Sequence, residues 1–158
     1  MSSFDPRLIL ITALLALSAC GFTPVYGPGS QAQALRGAVS FGTPDSPGAF
    51  ELVRELELRF GVADEAIYRL AVDVALDETE SVITRTSEIE RFSITGVATF
   101  TLLNTDSDPV AKGTTQAFTS YSASGSPMAT RAAREDAQSR LMVILADQIA
   151  LRLAAEVS

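Results

Sequence analysis

The sequence predicts an α+β fold, a two-layer sandwich with two helices packed on one face of a mainly antiparallel four-stranded sheet, in the order β-α-β-β-β-α. Three observations predict it. Two segments, each opened by a Ser-Pro pair at Ser46-Pro47 and Ser126-Pro127, carry apolar residues at the three- and four-residue spacing of a helix. Between them, apolar and polar residues alternate with the period of a strand and are interrupted by a turn-rich segment. The chain before residue 35 has a different character, an apolar run followed by a glycine- and proline-rich stretch, and reads as lying outside the folded core.

The N-terminal segment reads as an address. Met1 to Arg7 is short and mostly polar, and the apolar run Leu8 to Leu17 follows it. Ten helical residues span only about 15 Å, half of a bilayer's hydrocarbon core. Such a run suits a secretory signal better than a membrane-crossing helix. Leu17-Ser18-Ala19-Cys20 resembles the bacterial lipobox, in which cleavage precedes a cysteine that carries diacylglycerol. The competing interpretation is a secretory signal whose cysteine is incidental. Cys20 is the chain's only cysteine, sits directly after the apolar run, and would otherwise be a free thiol in an oxidising compartment. By resemblance to lipoprotein sorting in enteric bacteria, Gly21 permits export to the outer membrane, where an aspartate would retain the protein in the inner one. The expected organisation is a signal peptide at 1–19, a lipidated N-terminus and tether at 20–34, and one domain at 35–158.

Within that domain, Leu35 to Phe41 predicts a brief strand. A helix from Pro47 to about Phe60 follows, capped by Ser46, with Phe50, Val53, Leu56 and Phe60 as its buried stripe and Leu52 assisting. Glu55 and Arg59 form an i,i+4 pair in the favourable order, and Gly61 ends the helix. Tyr68, Leu70, Val72, Val74 and Leu76 alternate with polar and small residues, predicting a strand with one wet face. The polar stretch from Asp77 to Glu90 reads as an irregular edge or a long hairpin connection. A strand resumes from Phe92 to Leu102, where Gly96 predicts a bulge or a close backbone approach. Asn104 to Pro109 is a turn signal, and Asp106 and Asp108 within it read as turn residues rather than a calcium loop. Val110 to Tyr121 is a threonine-rich strand, and a last helix runs from Pro127 to about Ala155, about 43 Å long. Its stripe is Ala133, Ala137, Leu141, Ile144, Leu145 and Ile149, widened by Met142, Val143, Ala146 and Ala150. Both helices are expected on one sheet face, with polar positions near 69, 73, 95, 99 and 101 on the other.

Composition narrows the function. The 158 residues include no histidine and no tryptophan, and carry a net charge of −7. No histidine means no Ser-His-Asp or Cys-His nucleophile and no histidine metal ligand. A single lysine, Lys112, and the acidic balance argue against nucleic acid as a partner. A non-enzymatic protein is expected, with no catalytic residue, metal or dissociable cofactor. The lipobox resemblance implies one covalent group, the diacylglycerol and N-acyl lipid (palmitate) on Cys20.

Several segments together resemble the LptE family of LPS-assembly lipoproteins, in its alphaproteobacterial form. They are Leu17 through Gly27, Tyr68-Arg69-Leu70, Phe118-Thr119-Ser120-Tyr121, Ser126-Pro127-Met128-Ala129-Thr130, and the helix body from Ala133 to Leu141 with Leu145 to Ile149 and Arg152-Leu153. The resemblance implies a lipid-anchored protein on the periplasmic side of the outer membrane. It implies a partner, the LptD β-barrel, which the protein plugs and assists in folding and in passing lipopolysaccharide to the outer leaflet. Arg69, Arg85 and Arg91 are the candidate contacts for lipopolysaccharide or the barrel, because guanidinium forks onto phosphate and carboxylate. The acidic Asp73, Asp77, Glu78, Glu80, Glu88 and Glu90 crowd the same region. Two alternatives stand beside this: another periplasm-facing envelope lipoprotein, acting as a solute-binding or transport-auxiliary module, and a lipid-anchored hydrolase using carboxylates alone.

Overall fold

The computed structural model describes residues 31–82, 89–124 and 126–157. Along them run α1 (Gln31–Leu35), β1 (Val39–Phe41), α2 (Pro47–Phe60), β2 (Tyr68–Val82), β3 (Ile89–Asn104), β4 (Pro109–Ser124) and α3 (Pro127–Glu156). The strands form one sheet in sequence order, β1-β2-β3-β4. β1 pairs parallel to the start of β2, Val39 opposite Tyr68 and Phe41 opposite Leu70, while β2, β3 and β4 are antiparallel neighbours. The α+β class and the four-stranded, mainly antiparallel sheet are as expected.

Three local expectations change. The strand expected over 35–41 begins only at Val39, and the residues before it form α1, so three helices lie among the described residues. Leu35 has no exposed surface, which draws this short helix into the core and explains why an alternating-looking segment folds otherwise. The stretch expected to be irregular after Asp77 is strand on both arms, with β2 continuing to Val82 and β3 starting at Ile89. Cross-strand pairing overrides weak local propensity there, since Glu78, Thr79 and Glu80 stay in register with Ile94, Ser93 and Phe92.

Local chemistry sets the helices. Ser46 accepts the Ala49 N–H at 3.1 Å, Pro47 occupies the first turn, and Gly61 closes α2 at φ 77° with its N–H on the Glu57 carbonyl. At α3 the proline recurs, but Ser126 makes no side-chain cap. The α2 stripe is Ala49, Leu52, Val53, Leu56 and Phe60. Phe50, expected within it, is 64% exposed, because a position one residue from Ala49 lies about 100° around the helix. On α3 the buried set is Ala137, Leu141, Met142, Leu145, Ala146, Ile149, Ala150 and Leu153, with Ile144 displaced to the rim.

Both long helices cover the same sheet face, α2 over β2 and α3 over β4 and β3, and they also pack on each other. Leu70, Ile94, Ala98, Phe100 and Leu102 meet them from the sheet. Gly96 keeps its pairing with Leu76 and Ala117, so it marks no bulge. A Cβ there would lie 3.0 Å from methyls of both Leu141 and Leu145; the missing side chain is what lets α3 seat this closely.

Candidate functional surface

The side of the sheet away from the helices is covered by no helix among the described residues. Strand alternation places Arg69, Ala71, Asp73, Ala75, Asp77 and Thr79 there from β2. From β3 come Arg91, Ser93, Thr95, Val97, Thr99, Thr101 and Leu103, and from β4 Lys112, Thr114, Gln116, Phe118 and Ser120. The cross-strand rows are short and mostly hydroxylated, such as Asp73–Thr99–Thr114 and Thr79–Ser93–Ser120. Phe118 breaks the pattern at 73% exposure. The polar face expected around positions 69, 73, 95, 99 and 101 is this one.

Arg69 and Arg91 are both exposed and make no ion pair among the described residues. The fold does not bring them together. Arg69 lies opposite Leu103, twelve positions along β3 from Arg91, so they stand about 40 Å apart at opposite ends of the ladder. Lys112 opposes Thr101 and shares the Arg69 end. Arg85, Cys20 and Gly21 lie outside the described residues, as does the whole of 1–30 with the expected signal peptide and most of the tether.

At the Arg91 end, β2 is fastened to α3. Glu78 accepts hydrogen bonds from the Tyr121 hydroxyl and from Arg134 Nε at 2.7 Å, with Arg134 Nη2 at 2.6 Å. Tyr121 also stacks on Phe92, ring centroids 5.3 Å apart. Burial alone would raise the Glu78 pKa, but the two hydrogen bonds and the guanidinium charge outweigh it and hold the carboxyl below its ordinary value. Burial, then the Glu78 carboxylate, pushes the Tyr121 hydroxyl up. The sequence carried a signal for this cluster: Glu78 continues the even-numbered alternation from Tyr68 to Leu76, and an acid in an apolar register needs a partner.

A second fastening joins the helices. Arg59 donates from Nε to Asp147 at 2.8 Å and from Nη2 to the Val143 carbonyl at 3.2 Å, and its Nη1 lies 3.3 Å from Glu55. Asp147 and Glu55 thereby hold Arg59 firmly charged against the opposing effect of its burial. The expected Glu55–Arg59 pair is present, on a carboxylate that is itself buried.

At the tip between β3 and β4, the Asn104 side-chain oxygen accepts the N–H groups of Asp106 and Asp108 at 3.0 and 2.8 Å. Those acids shape a turn. Where α3 overhangs β4, a shallow hollow of about 630 Å³ is lined by Val97, Thr114, Thr115, Gln116, Gln148, Leu151 and Arg152. A smaller one, about 320 Å³, lies between the start of α2, Val74 and Leu76, and Gln138 and Met142 of α3. No helix among the described residues is long and apolar enough to cross a membrane.

Comparison with known proteins follows this architecture. A crystal structure of a candidate lipoprotein from Caulobacter crescentus superposes with a TM-score of 0.68 at 22% identity, covering 80% of this chain and 94% of that one. The rare lipoprotein B of Shewanella oneidensis gives 0.56 at 12% identity, over 75% and 92%. A lipoprotein B from Nitrosomonas europaea gives 0.58 at 12%, over 85% and 91%. At such identities the likeness is one of fold. Among curated proteins the chain finds no match. The family model for lipopolysaccharide assembly, LptE, matches residues 38–153, from the residue before β1 to the last turn of α3. With that match spanning most of its length, the chain belongs to the LptE family of lipopolysaccharide-assembly proteins.

Proposed function

We propose that this protein is a non-catalytic lipoprotein, anchored through acylated Cys20 to the periplasmic side of the outer membrane, that seats in an LptD β-barrel and assists lipopolysaccharide insertion. The family match over 38–153 carries the proposal. The sheet supports it physically. A large barrel encloses a polar lumen that must be filled to prevent leakage. A rigid domain with one uncovered face of threonine, serine and scattered charge fits such a lumen without burying unpaired groups. Acyl anchoring fits too, since each buried methylene contributes about 0.8 kcal/mol and two or more chains hold durably. The tether then keeps the domain at high local concentration beside its barrel.

Bond-making chemistry is not part of the proposal. Glu55, Glu78, Asp136 and Asp147 are each engaged by arginine, and the hollows are shallow. Of the candidate contacts, Arg69 and Arg91 reach different depths of a lumen, so one phosphate cluster does not engage both. The test is co-purification of tagged full-length chain from detergent-solubilised membranes of its host. A large β-barrel recovered at a fixed ratio, together with intact-mass evidence of acylation at Cys20, is the expected result. Recovery without a barrel, and normal surface lipopolysaccharide in its absence, would overturn it.

A further inference from the structure

The two long strands at the margins of the sheet are guarded very differently. β2 is covered by β1 only from Tyr68 to Leu70, and beyond that it carries Asp73, Asp77, Glu78 and Glu80. Charged side chains of this kind keep an open strand from pairing with another chain. Among the described residues, β4 pairs with β3 and with no strand on its other side. Its guards, Pro109, a register irregularity opposite Leu102–Leu103, and Lys112, all fall in its first four residues. From Gly113 to Ser124 it holds no charge and no proline.

In an antiparallel pair, alternate residues turn their N–H and C=O away from the partner strand. The Thr119 carbonyl accepts from Ser93 Oγ of β3 at 3.5 Å, while the Ser120 carbonyl accepts from Arg140 of α3 at 3.4 Å. Even positions therefore turn outward, and the unbroken register from Ala111 to Ser124 extends this to Thr114, Gln116 and Phe118. The 630 Å³ hollow adjoins this same stretch. Gln148 and Arg152 stand on its helical wall. Arg152 forms no ion pair among the described residues, and Thr115, 2% exposed, has a hydroxyl without a hydrogen-bond partner. The hollow's lining includes a cation and no carboxylate.

We infer that the outer edge of β4 from Gly113 to Ser124, with the Arg152–Gln148–Thr115 hollow beside it, is a docking site for an extended acidic segment of a partner protein. The segment adds as a fifth strand, and its carboxylate enters the hollow to meet the Arg152 guanidinium. Backbone hydrogen bonds supply the pairing, and the charge fixes the register. Charge complementarity selects the occupant, because an acidic strand would be repelled along β2, while β4 from Gly113 to Ser124 carries no acidic side chain and the hollow beside it offers the Arg152 cation. The inference goes beyond the lipopolysaccharide-assembly proposal and does not depend on it.

The probe is a synthetic ten-residue peptide of alternating threonine and valine with one central glutamate, an aspartate at each end and blocked termini, added to the full-length chain in detergent. Amide hydrogen exchange should slow at least about tenfold over 113–124 and remain unchanged over 71–80. Arg152→Gln in the protein, or Glu→Gln in the peptide, should each weaken binding about tenfold, and together no further. Gln116→Pro removes an outward N–H, leaves the fold intact and should abolish the protection. Protection elsewhere or nowhere, or an affinity indifferent to both charge changes, would overturn the inference. Displacement of the peptide by inorganic phosphate, with no slowing at β4, would reduce the site to an anion hollow and equally overturn it. So would concentration-dependent protection of β4 without peptide, which would assign the edge to a second copy.

Discussion

Leu102 and Leu103 are neighbours in β3 with the same side chain, yet Leu102 has no exposed surface while Leu103, half-buried, shares the open face with Arg69. Thr114 and Thr115 repeat the contrast in β4, the first exposed and the second sealed under α3. The two faces of one sheet thus live in different solvents. On the covered face, shape decides: a missing methyl leaves a void and an added one meets Leu141. On the open face, composition decides, and small hydroxylated residues keep a large surface wettable without closing it to contact. Stability is stored on one side, and the other contributes little to it.

That contrast can be broken by matched substitutions, read by urea unfolding of the same chain. Leu102→Ala should cost about 2–5 kcal/mol, against about 1 kcal/mol or less for Leu103→Ala. Equal losses would mean the open face is covered too. Gly96→Val should cost about 1–3 kcal/mol, since Leu141 and Leu145 leave no room for it. Thr115→Val should gain about 1 kcal/mol by removing an unsatisfied buried hydroxyl, with Thr114→Val near zero. Ser46→Ala should cost about 1 kcal/mol and Ser126→Ala only a few tenths, as one serine caps its helix and the other does not.

The last test concerns pH. Because the folded Glu78 pKa is lowered, its contribution is present above the unfolded value near 4.5 and is lost as pH falls through the folded one. Because Tyr121 is raised, its contribution is present below its unfolded value near 10 and is lost as pH rises through the folded one. Glu78→Gln should therefore flatten the acid limb of the stability profile, with little change in slope near neutrality. An unchanged acid limb would show that the cluster does not act through that carboxylate.

Much of the covered face was legible in the sequence. The helix spacing from Leu52 to Phe60 and the alternation from Tyr68 to Leu76 report burial directly, and Ser46-Pro47 announces a helix start by its own chemistry. Phe50 was misplaced because an aromatic at helical spacing is indistinguishable from its neighbours until the helix's rotation is fixed by packing. The continuation of β2 beyond Asp77 was hidden for a related reason. Glu78, Thr79 and Glu80 have little strand propensity, and only their pairing with β3 holds them. The open face was legible as polar, but its grouping was not: Arg69 and Arg91 look like one basic set along the chain and lie at opposite ends of a ladder. The place of Arg152 beside the β4 edge was not legible, because nothing in the sequence says that α3 overhangs it.

The position of β1 has a consequence for the protein as a ruler. Its pairing with Tyr68 means the folded domain is entered at the same pole as the Asn104–Asp108 turn, while Arg91 and the Glu78 fastening occupy the other pole about 40 Å away. Eleven peptide steps separate Cys20 from Gln31, a reach of at most about 40 Å when fully drawn out. Under the proposed acylation of Cys20, that span sets a ceiling on how far the near pole can rise from the bilayer. The far pole lies one ladder length from it, and inserting or deleting a few residues between Cys20 and Gln31 would then reset both heights together.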